Sequence, residues 1–573
     1  MLKKVSKQFS ANKLLIILVF LGSLSWSLTM VKSGLNYSFG QGFWGPNGHD
    51  GIWHIALIKS LARGSFDMPS FAGQRLKNYH IGFDLLIATL NKVTSIPVET
   101  LYFQITPVIL SILIGILTYK FVIFWKNSKT SALWATFFVY FGGSFGWIVN
   151  ILRREEIGGE SMFWSQQSIS TLLNPPFALS IVILLLGLIS LIKFQKSLTT
   201  NYLLLTTILF GILIEIKSYA GILALIALFL AGIWEFYKNK KINLLKIFFF
   251  SSIISSILMI SISGISKGIL IWQPFWFLET LLSLSDRFYW PKLYSAITTY
   301  KDIKNYLKLI PAYFLTFLIF WYGNLWTRSL KEIHVLKWLK NIKKIDSLDI
   351  FLGSVIMFGG AIPIFFVQKG TPWNTIQFFY YSLMFSGILA GVSISEFLKN
   401  KSKKFSLFLS VAIIALTVPT SVATLVHHYL PSRPPAKISN QELSALDFLS
   451  KQPQGVVLTY PFDQYLADKA VANPPRPLYL YDSTAYVGAF SGKPVFLEDQ
   501  VNLDITGFDW GERRQEVENF LKSKDINFVR NFLKNNNIKY IYWVKPQRAT
   551  YGPDQLGIKP IFENSEVFIY QVL

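Results

Sequence analysis

The chain of 573 residues has no cysteine. Disulfides, thiolate nucleophiles and Cys-ligated zinc are therefore excluded. Charge is scarce as well: Asp, Glu, Lys and Arg make up 15% of the residues, where soluble domains carry about 25%. The signatures of soluble enzymes are also missing. There is no Walker loop, no Gly-rich phosphate turn after a strand, no HExxH and no G-x-S-x-G in a credible context.

What remains is apolar. Hydrophobic residues reach 52% and aromatic ones 16%, and the formal net charge is +23. Such an excess suggests nucleic acid until its placement is read. From His427 onward there are 16 Lys/Arg and 16 Asp/Glu, whereas the first 426 residues hold 39 and 16. The whole excess lies in the apolar part, which excludes a nucleic-acid partner and points to a membrane protein with a soluble tail.

A helix needs about 20 apolar residues to cross a bilayer. Eleven stretches qualify or nearly so: 14–32, 101–125, 131–151, 175–195, 199–215, 218–236, 244–264, 307–327, 349–368, 375–397 and 405–426. The fifth and sixth are short and adjoin at Glu215-Ile-Lys-Ser-Tyr-Ala-Gly221, so they form either two spans or one broken pair. The first follows Lys3, Lys4, Lys7 and Lys13 and lacks a small-residue cleavage site, which reads as an uncleaved anchor. With a cytoplasmic N-terminus and alternating spans, the inside connections and the span ends next to them hold 23 Lys/Arg and the outside ones 16. That asymmetry places the tail outside.

The expected fold is thus mainly α: a polytopic helical membrane protein of about eleven spans (1–426) with a small extracytoplasmic α/β domain (427–573). Three outside connections, 33–100, 152–174 and 265–306, are too long to be simple turns. In the first, 52–62 and 81–93 carry apolar residues at helical spacing (Ile55, Ile58, Leu61; Phe83, Leu86, Ile87, Leu90), and two amphipathic helices at the outer membrane interface are expected. In the tail, helical patterns at 441–449 and 511–535 alternate with strand patterns at 455–461, 495–497, 540–544 and 567–572.

Polar chemistry concentrates in the first connection, in Gly48-His-Asp-Gly-Ile-Trp-His54 and Lys77-Asn-Tyr-His-Ile-Gly-Phe-Asp84. Asp50 and His54 are four apart, as are His80 and Asp84, so either pair fits one helix face. A carboxylate beside imidazole at the edge of a low-dielectric slab suits a general base or a divalent metal. The alternative is that Asp50 caps a helix and the histidines make interfacial hydrogen bonds. Arg153-Arg-Glu-Glu156 is either a solvated charged face or, through Glu155 and Glu156, the remainder of a metal site with Asp50. Lys217, Lys369 in Lys369-Gly-Thr-Pro-Trp-Asn374, and Arg287 are cations at the outer ends of spans, either snorkelling or aimed at an anionic head group.

An N-terminal anchor, a long first outer loop with Asp50 near its start, two interfacial helices, Asn78-Tyr-His-Ile-Gly82 and an outside tail together form a pattern. It resembles the GT-C superfamily of polytopic glycosyltransferases, especially the bacterial mannosyltransferase-like or RgtA/B/C/D-like branch. The tail segment Ala485-Tyr-Val-Gly-Ala-Phe-Ser-Gly-Lys-Pro-Val-Phe-Leu497 is similar to proteins of this type. Many members show a pair of acidic residues in the first loop; here Asp50 stands between His49 and Gly51.

The resemblance implies a hexosyl- or pentosyltransferase of the bacterial plasma membrane. It would take a polyprenyl-phosphate-sugar donor and a glycan, lipid or protein acceptor. Asp50 would be the base, His54 or His80 would orient it, and Asn78, Tyr79, Lys217, Lys369 and Arg287 would bind substrate. A divalent metal (Mg or Mn) at Asp50, Glu155 and Glu156 is the one cofactor the pattern admits. Two other functions fit the composition: a transporter or flippase of lipid-linked or anionic cargo, and a non-catalytic membrane scaffold.

Overall fold

Long apolar runs have one way to satisfy their backbone in lipid, which is to become helices. The computed structural model of the chain describes residues 2–153, 155, 157–159, 161–263 and 270–573. Each of the eleven apolar stretches is helical over most of its described length, though 131–151 breaks between Phe141 and Gly146 and 349–368 ends in the strand Phe366–Gln368. Eight helices among the described residues have the length and composition to cross a membrane, from Val98–Lys126 to Lys403–Tyr429. A ninth span is available if Lys129–Phe141 and Gly146–Leu152, bent by 53° at their junction, act as one. Lys13–Ser27 and Thr200–Ile216 are apolar but shorter. Eight or nine helices of spanning length therefore stand where eleven spans were expected.

By its contacts the chain divides into two units. One comprises Met1–Leu28, Pro107–Ser261 and Lys267–Leu430; the other comprises Thr29–Thr106, Ile262–Ser266 and Pro431–Leu573.

The first unit is the helical one. Its centre is the helix Gln377–Leu398, whose residues 381–395 are all buried. It packs along Lys129–Phe141 at very short range. A Cβ on Gly391 would lie 2.3 Å from the backbone nitrogen of Ala135, so only glycine allows the approach. Lipid offers no hydrophobic drive between helices, and such small-residue contacts supply the packing instead. At the periphery, Lys403–Thr417 turns Leu407, Phe408 and Val411 outward, as a lipid-facing helix does.

The second unit joins the first long connection to the tail. Asn36–Tyr37 and Gly40–Phe43 form a hairpin. Gly40–Phe43 then pairs antiparallel with Ala436–Ile438, which lies parallel to Arg476–Pro477. Gly40 has φ +108°, and a Cβ there would sit 2.0 Å from the carbonyl oxygen of Ile438, so this crossing requires glycine. A second sheet has the order Val456–Thr459, Ile538–Val544, Val567–Val572, Ile558–Glu563; its first pair is parallel and the others are antiparallel.

The two helices expected to be amphipathic differ. Gly82–Thr94 buries Phe83, Asp84, Ile87 and Ala88 and exposes Leu85, Leu86 and Val93, a two-faced helix. Asp50–Ala62 is not two-faced: Gly51 through Ile58, Ser60 and Leu61 are all buried. Gly82–Thr94 packs on one side of it and Tyr486–Ser491, from the tail, on another. Trp53 and Leu57, which lie off the expected apolar stripe, are buried with the rest.

Candidate functional site

A short 3-10 turn, Gly45–Gly48, delivers the chain to His49, and the buried helix begins at Asp50. His49 Nδ1 lies 3.0 Å from Asp50 Oδ1. On its other side Nε2 lies 3.3 Å from Asp499 Oδ1, off the line of a hydrogen bond, so that contact is ionic. The side chain of Asp499 is fully buried and that of His49 nearly so, while that of Asp50 is 46% exposed. Burial by itself would lower the imidazole pKa, but the two carboxylates, Asp499 above all, raise it well above its ordinary value. Asp499 holds a left-handed backbone (φ 53°) and caps Gln500–Thr506. Its Oδ1 accepts from Asn502 N at 3.2 Å and its Oδ2 from Asn502 Nδ2 at 2.9 Å.

His54 is one turn further along the same helix, and its partner is Asp84, with Nδ1 to Oδ1 at 2.7 Å and both side chains buried. Helical spacing suggested Asp50 with His54 and His80 with Asp84. The structure pairs His54 with Asp84 instead, because the two helices cross with those residues face to face. Tyr102 stacks on the His54 ring at 5.5 Å. Tyr79 meets Trp53 edge-on at 5.5 Å and lies against His80 at 4.8 Å; both Tyr79 and His80 are half-buried. Asn78 Nδ2 donates to the carbonyl of Thr506 at 2.8 Å, at the end of the helix that Asp499 caps. Asp50, Asn78, Tyr79, His80 and His54 thus all belong to the second unit. His49 stood inside the quoted motif without a role, and Asp499 carried no signal at all.

Two further carboxyls in this unit are buried. Glu498 accepts from Val487 N and Gly488 N, each at 3.1 Å. Burial outweighs those donors and pushes its pKa up to about 8. Glu442 is pushed up to about 7 by burial, with Glu566 adding to the effect. Each of these groups binds a proton more tightly folded than unfolded. Stability is then fully present below the ordinary carboxylate pKa and is lost as pH rises through the folded value. Thermal unfolding of the intact protein should show this unit weakening between about pH 5 and pH 8. Glu498→Gln should flatten that slope; an unchanged slope in the variant would remove Glu498 from its cause.

The other candidates lie in the helical unit. Lys217 separates Thr200–Ile216 from Ser218–Asn239 in an extended conformation. It is buried, its Nζ is 3.2 Å from Asn174 Oδ1, and it sits 5.3 Å from the Tyr219 ring. Tyr219 Oη donates to Gln368 Oε1 at 3.0 Å, beside exposed Lys369. Lys217 and Lys369, far apart in sequence, are thereby linked through Tyr219 and Gln368. Arg287 lies over the Trp164 ring at 4.1 Å and donates to Asp286 Oδ2 and Ser161 Oγ. Burial there lowers its pKa.

Between Tyr306–Leu325, Glu332–Lys340 and Ser347–Phe365 runs a groove of about 850 Å³, walled mostly by apolar side chains such as Phe314, Phe317, Trp321 and Met357. Phe275, Tyr313 and Phe365 line one end, and Lys331, Glu332 and Asp349 the other. From Phe365 the strand Phe366–Gln368 leads directly to Lys369. From Phe275 the helix Trp276–Ser283 begins, with Trp276 against Trp164, the ring under Arg287. The aromatic end of the groove thus leads along the chain to Lys369 and, through Trp276 and Trp164, to Arg287, while the Lys331 that lines the other end is paired with Glu332 at 2.6 Å.

The expected metal set fares differently. Glu156 lies outside the described residues, Glu155 is exposed in the first unit, and Asp50 belongs to the second. Among the described residues no group of three His, Asp or Glu is placed to hold a metal ion.

No family model matches the sequence, and no curated protein does. Solved structures do match. The chain superposes on the Archaeoglobus fulgidus oligosaccharyltransferase tethered to an acceptor peptide with a TM-score of 0.52 and 12% identity, over 94% of this chain and 69% of that one. Archaeal oligosaccharyltransferase AglB from the same organism, in complex with an inhibitory peptide and a dolichol-phosphate, gives 0.52 and 12% over 94% and 70%. The Archaeoglobus enzyme in complex with zinc and sulfate gives 0.52 and 12% over 92% and 68%. At this identity the likeness is one of fold: the chain has the fold of these oligosaccharyltransferase structures, with eight or nine helices of membrane-spanning length among its described residues.

Proposed function

We propose that this protein is a glycosyltransferase that moves a sugar from a polyprenyl-phosphate carrier to an acceptor hydroxyl on the outer face of the plasma membrane. The observation that carries this reading is the apolar groove of the helical unit, whose aromatic end leads along the chain to Lys369 and, through Trp276 and Trp164, to Arg287. A groove of that kind suits an isoprenoid chain, and the cations beyond its aromatic end suit its phosphate. That a structural relative binds a dolichol-phosphate and another holds an acceptor peptide supports the same division of labour. The charge asymmetry supports a cytoplasmic N-terminus and an outside tail.

In the reaction, Asp50 takes the proton of the acceptor hydroxyl as its oxygen bonds to C1 of the sugar. The bond from C1 to the phosphate oxygen breaks, and the leaving phosphate keeps the electron pair. Lys217, Lys369 and Arg287 stabilise the charge that gathers on it, so no acid is needed on the leaving side. Asn78, Tyr79 and His80 are proposed to contact the acceptor. The His54–Asp84 pair, being buried, holds the helix that carries Asp50.

The test is transfer from a polyprenyl-phosphate-linked sugar to glycan, lipid and peptide acceptors by the purified protein in proteoliposomes. A glycosylated product is expected. Passage of the labelled carrier across the bilayer with no product would overturn the assignment in favour of a flippase.

A further inference from the structure

In the first connection Asp50 has a carboxylate side chain that is 46% exposed, and the structure sets a second carboxylate, that of Asp499, behind it. We infer that Asp499, acting through the His49 ring, positions the Asp50 carboxylate, and that the tail is therefore part of the catalytic apparatus. The inference rests on the reading of Asp50 as the base.

The arrangement is graded. Asp499 is sealed from solvent, His49 is next, and Asp50 reaches the surface. A buried carboxylate is costly unless it is paired and hydrogen-bonded. The donors on Asp499 both come from Asn502 and both are neutral; the ring of His49 brings the positive charge. The same ring then donates from Nδ1 to Asp50 Oδ1 and sets the plane of that carboxylate. Capping alone does not call for an acid here, since Asn serves as well as Asp at the start of a helix. The left-handed backbone at 499 is tolerated by Asp but is uncommon outside glycine. Such conformations persist where the surroundings over-determine them.

Those surroundings are in place. Val495 N donates to Pro69 O at 2.8 Å, Ala72 N to Val495 O at 2.9 Å, and Glu498 N to Ser70 O at 2.9 Å. Arg513 donates to the carbonyls of Ala72 and Phe496 at 3.0 and 2.9 Å, with its guanidinium 3.6 Å from the Phe71 ring. With Asn78 on the Thr506 carbonyl, residues 495–506 are fastened to 69–78 along their length. The register of these bonds sets Asp499 opposite His49.

The experiment compares wild type, Asp50→Asn, Asp499→Asn, His49→Gln and the double variant Asp50→Asn/Asp499→Asn in steady-state transfer, with thermal unfolding measured alongside. Asp499→Asn keeps the cap and removes the charge. Its kcat should fall about 10–100-fold, a loss of the size that follows removal of the hydrogen-bonding partner of a metal-ligating histidine, with KM for donor and acceptor unchanged. His49→Gln should do the same, and the double variant should be no slower than Asp50→Asn alone. Wild-type kcat in both Asp499→Asn and His49→Gln, beside an inactive Asp50→Asn, would overturn the relay and leave the base in place. Wild-type kcat in Asp50→Asn would instead remove the base, and the relay with it. A general loss of folding would show as lowered unfolding temperature and additive losses in the double variant, which also counts against positioning.

Discussion

Asp50→Asn is expected to lower sugar transfer by about 10²–10⁴-fold, the usual cost of losing a general base, while the protein remains in the membrane at wild-type levels. The two halves of that expectation have separate physical grounds. Asn has the shape of Asp, and its amide oxygen still accepts from His49 Nδ1, so the contact at 3.0 Å survives. Loss of a negative charge from the first turn of a helix costs only about 0.3–1 kcal/mol. The helix behind it is held by ten buried residues rather than by that charge. Basicity, in contrast, vanishes entirely, because an amide takes no proton at neutral pH. Initial rates with a polyprenyl-phosphate-sugar donor, normalised to protein in the membrane fraction, measure the effect. Activity near wild type would dismiss Asp50 as the base.

Lys217→Met is expected to raise KM for the donor about 10–100-fold with little change in KM for the acceptor. A hydrogen bond to a charged partner contributes about 1.5–3 kcal/mol, and a phosphate is such a partner. Met preserves the length and the apolar stem, and Asn174 keeps its own task of capping Pro175–Ser197 through Phe177 N. A merely structural lysine would disturb both substrates through the fold. One that binds phosphate separates them. Equal donor kinetics in wild type and variant would remove Lys217 from the head-group site, and Lys369→Ala, at an exposed position, should show the same separation more weakly.

Much of the helical unit was legible because lipid imposes a local rule: about 20 apolar residues in a row, one helix. The tail was legible where β-branched and aromatic residues run together, as in 567–572, and illegible where polar residues and proline interrupt them. Ile558–Glu563 carries Lys559 and Pro560 and leaves most of its residues at least partly exposed, so nothing marked it as a strand. Val495-Phe-Leu497 looked like a strand and forms only a single bridge to Val457. The helix Asp50–Ala62 was assigned one apolar face because Lys59, Ser60 and His54 interrupt the other. Its full burial comes from Tyr486–Ser491, more than 400 residues along the chain, and no local window contains that partner. The same distance hid Asp499. Within the first connection, spacing grouped Asp50 with His54 and His80 with Asp84, whereas His54 meets Asp84, since helical period says which residues share a face but not what crosses it.

The pairing of Gly40–Phe43 with Ala436–Ile438 has a bearing on biosynthesis. At roughly 5–20 residues per second, the early strand emerges about 20–80 s before its partner is made, and through that interval its outer edge has no mate in its own chain. Maturation of the amino-terminal segment therefore waits on the last quarter of the polypeptide to be translated. A nonsense codon near position 430 should leave an inserted but unfinished product, a substrate for quality-control proteases rather than a smaller working protein.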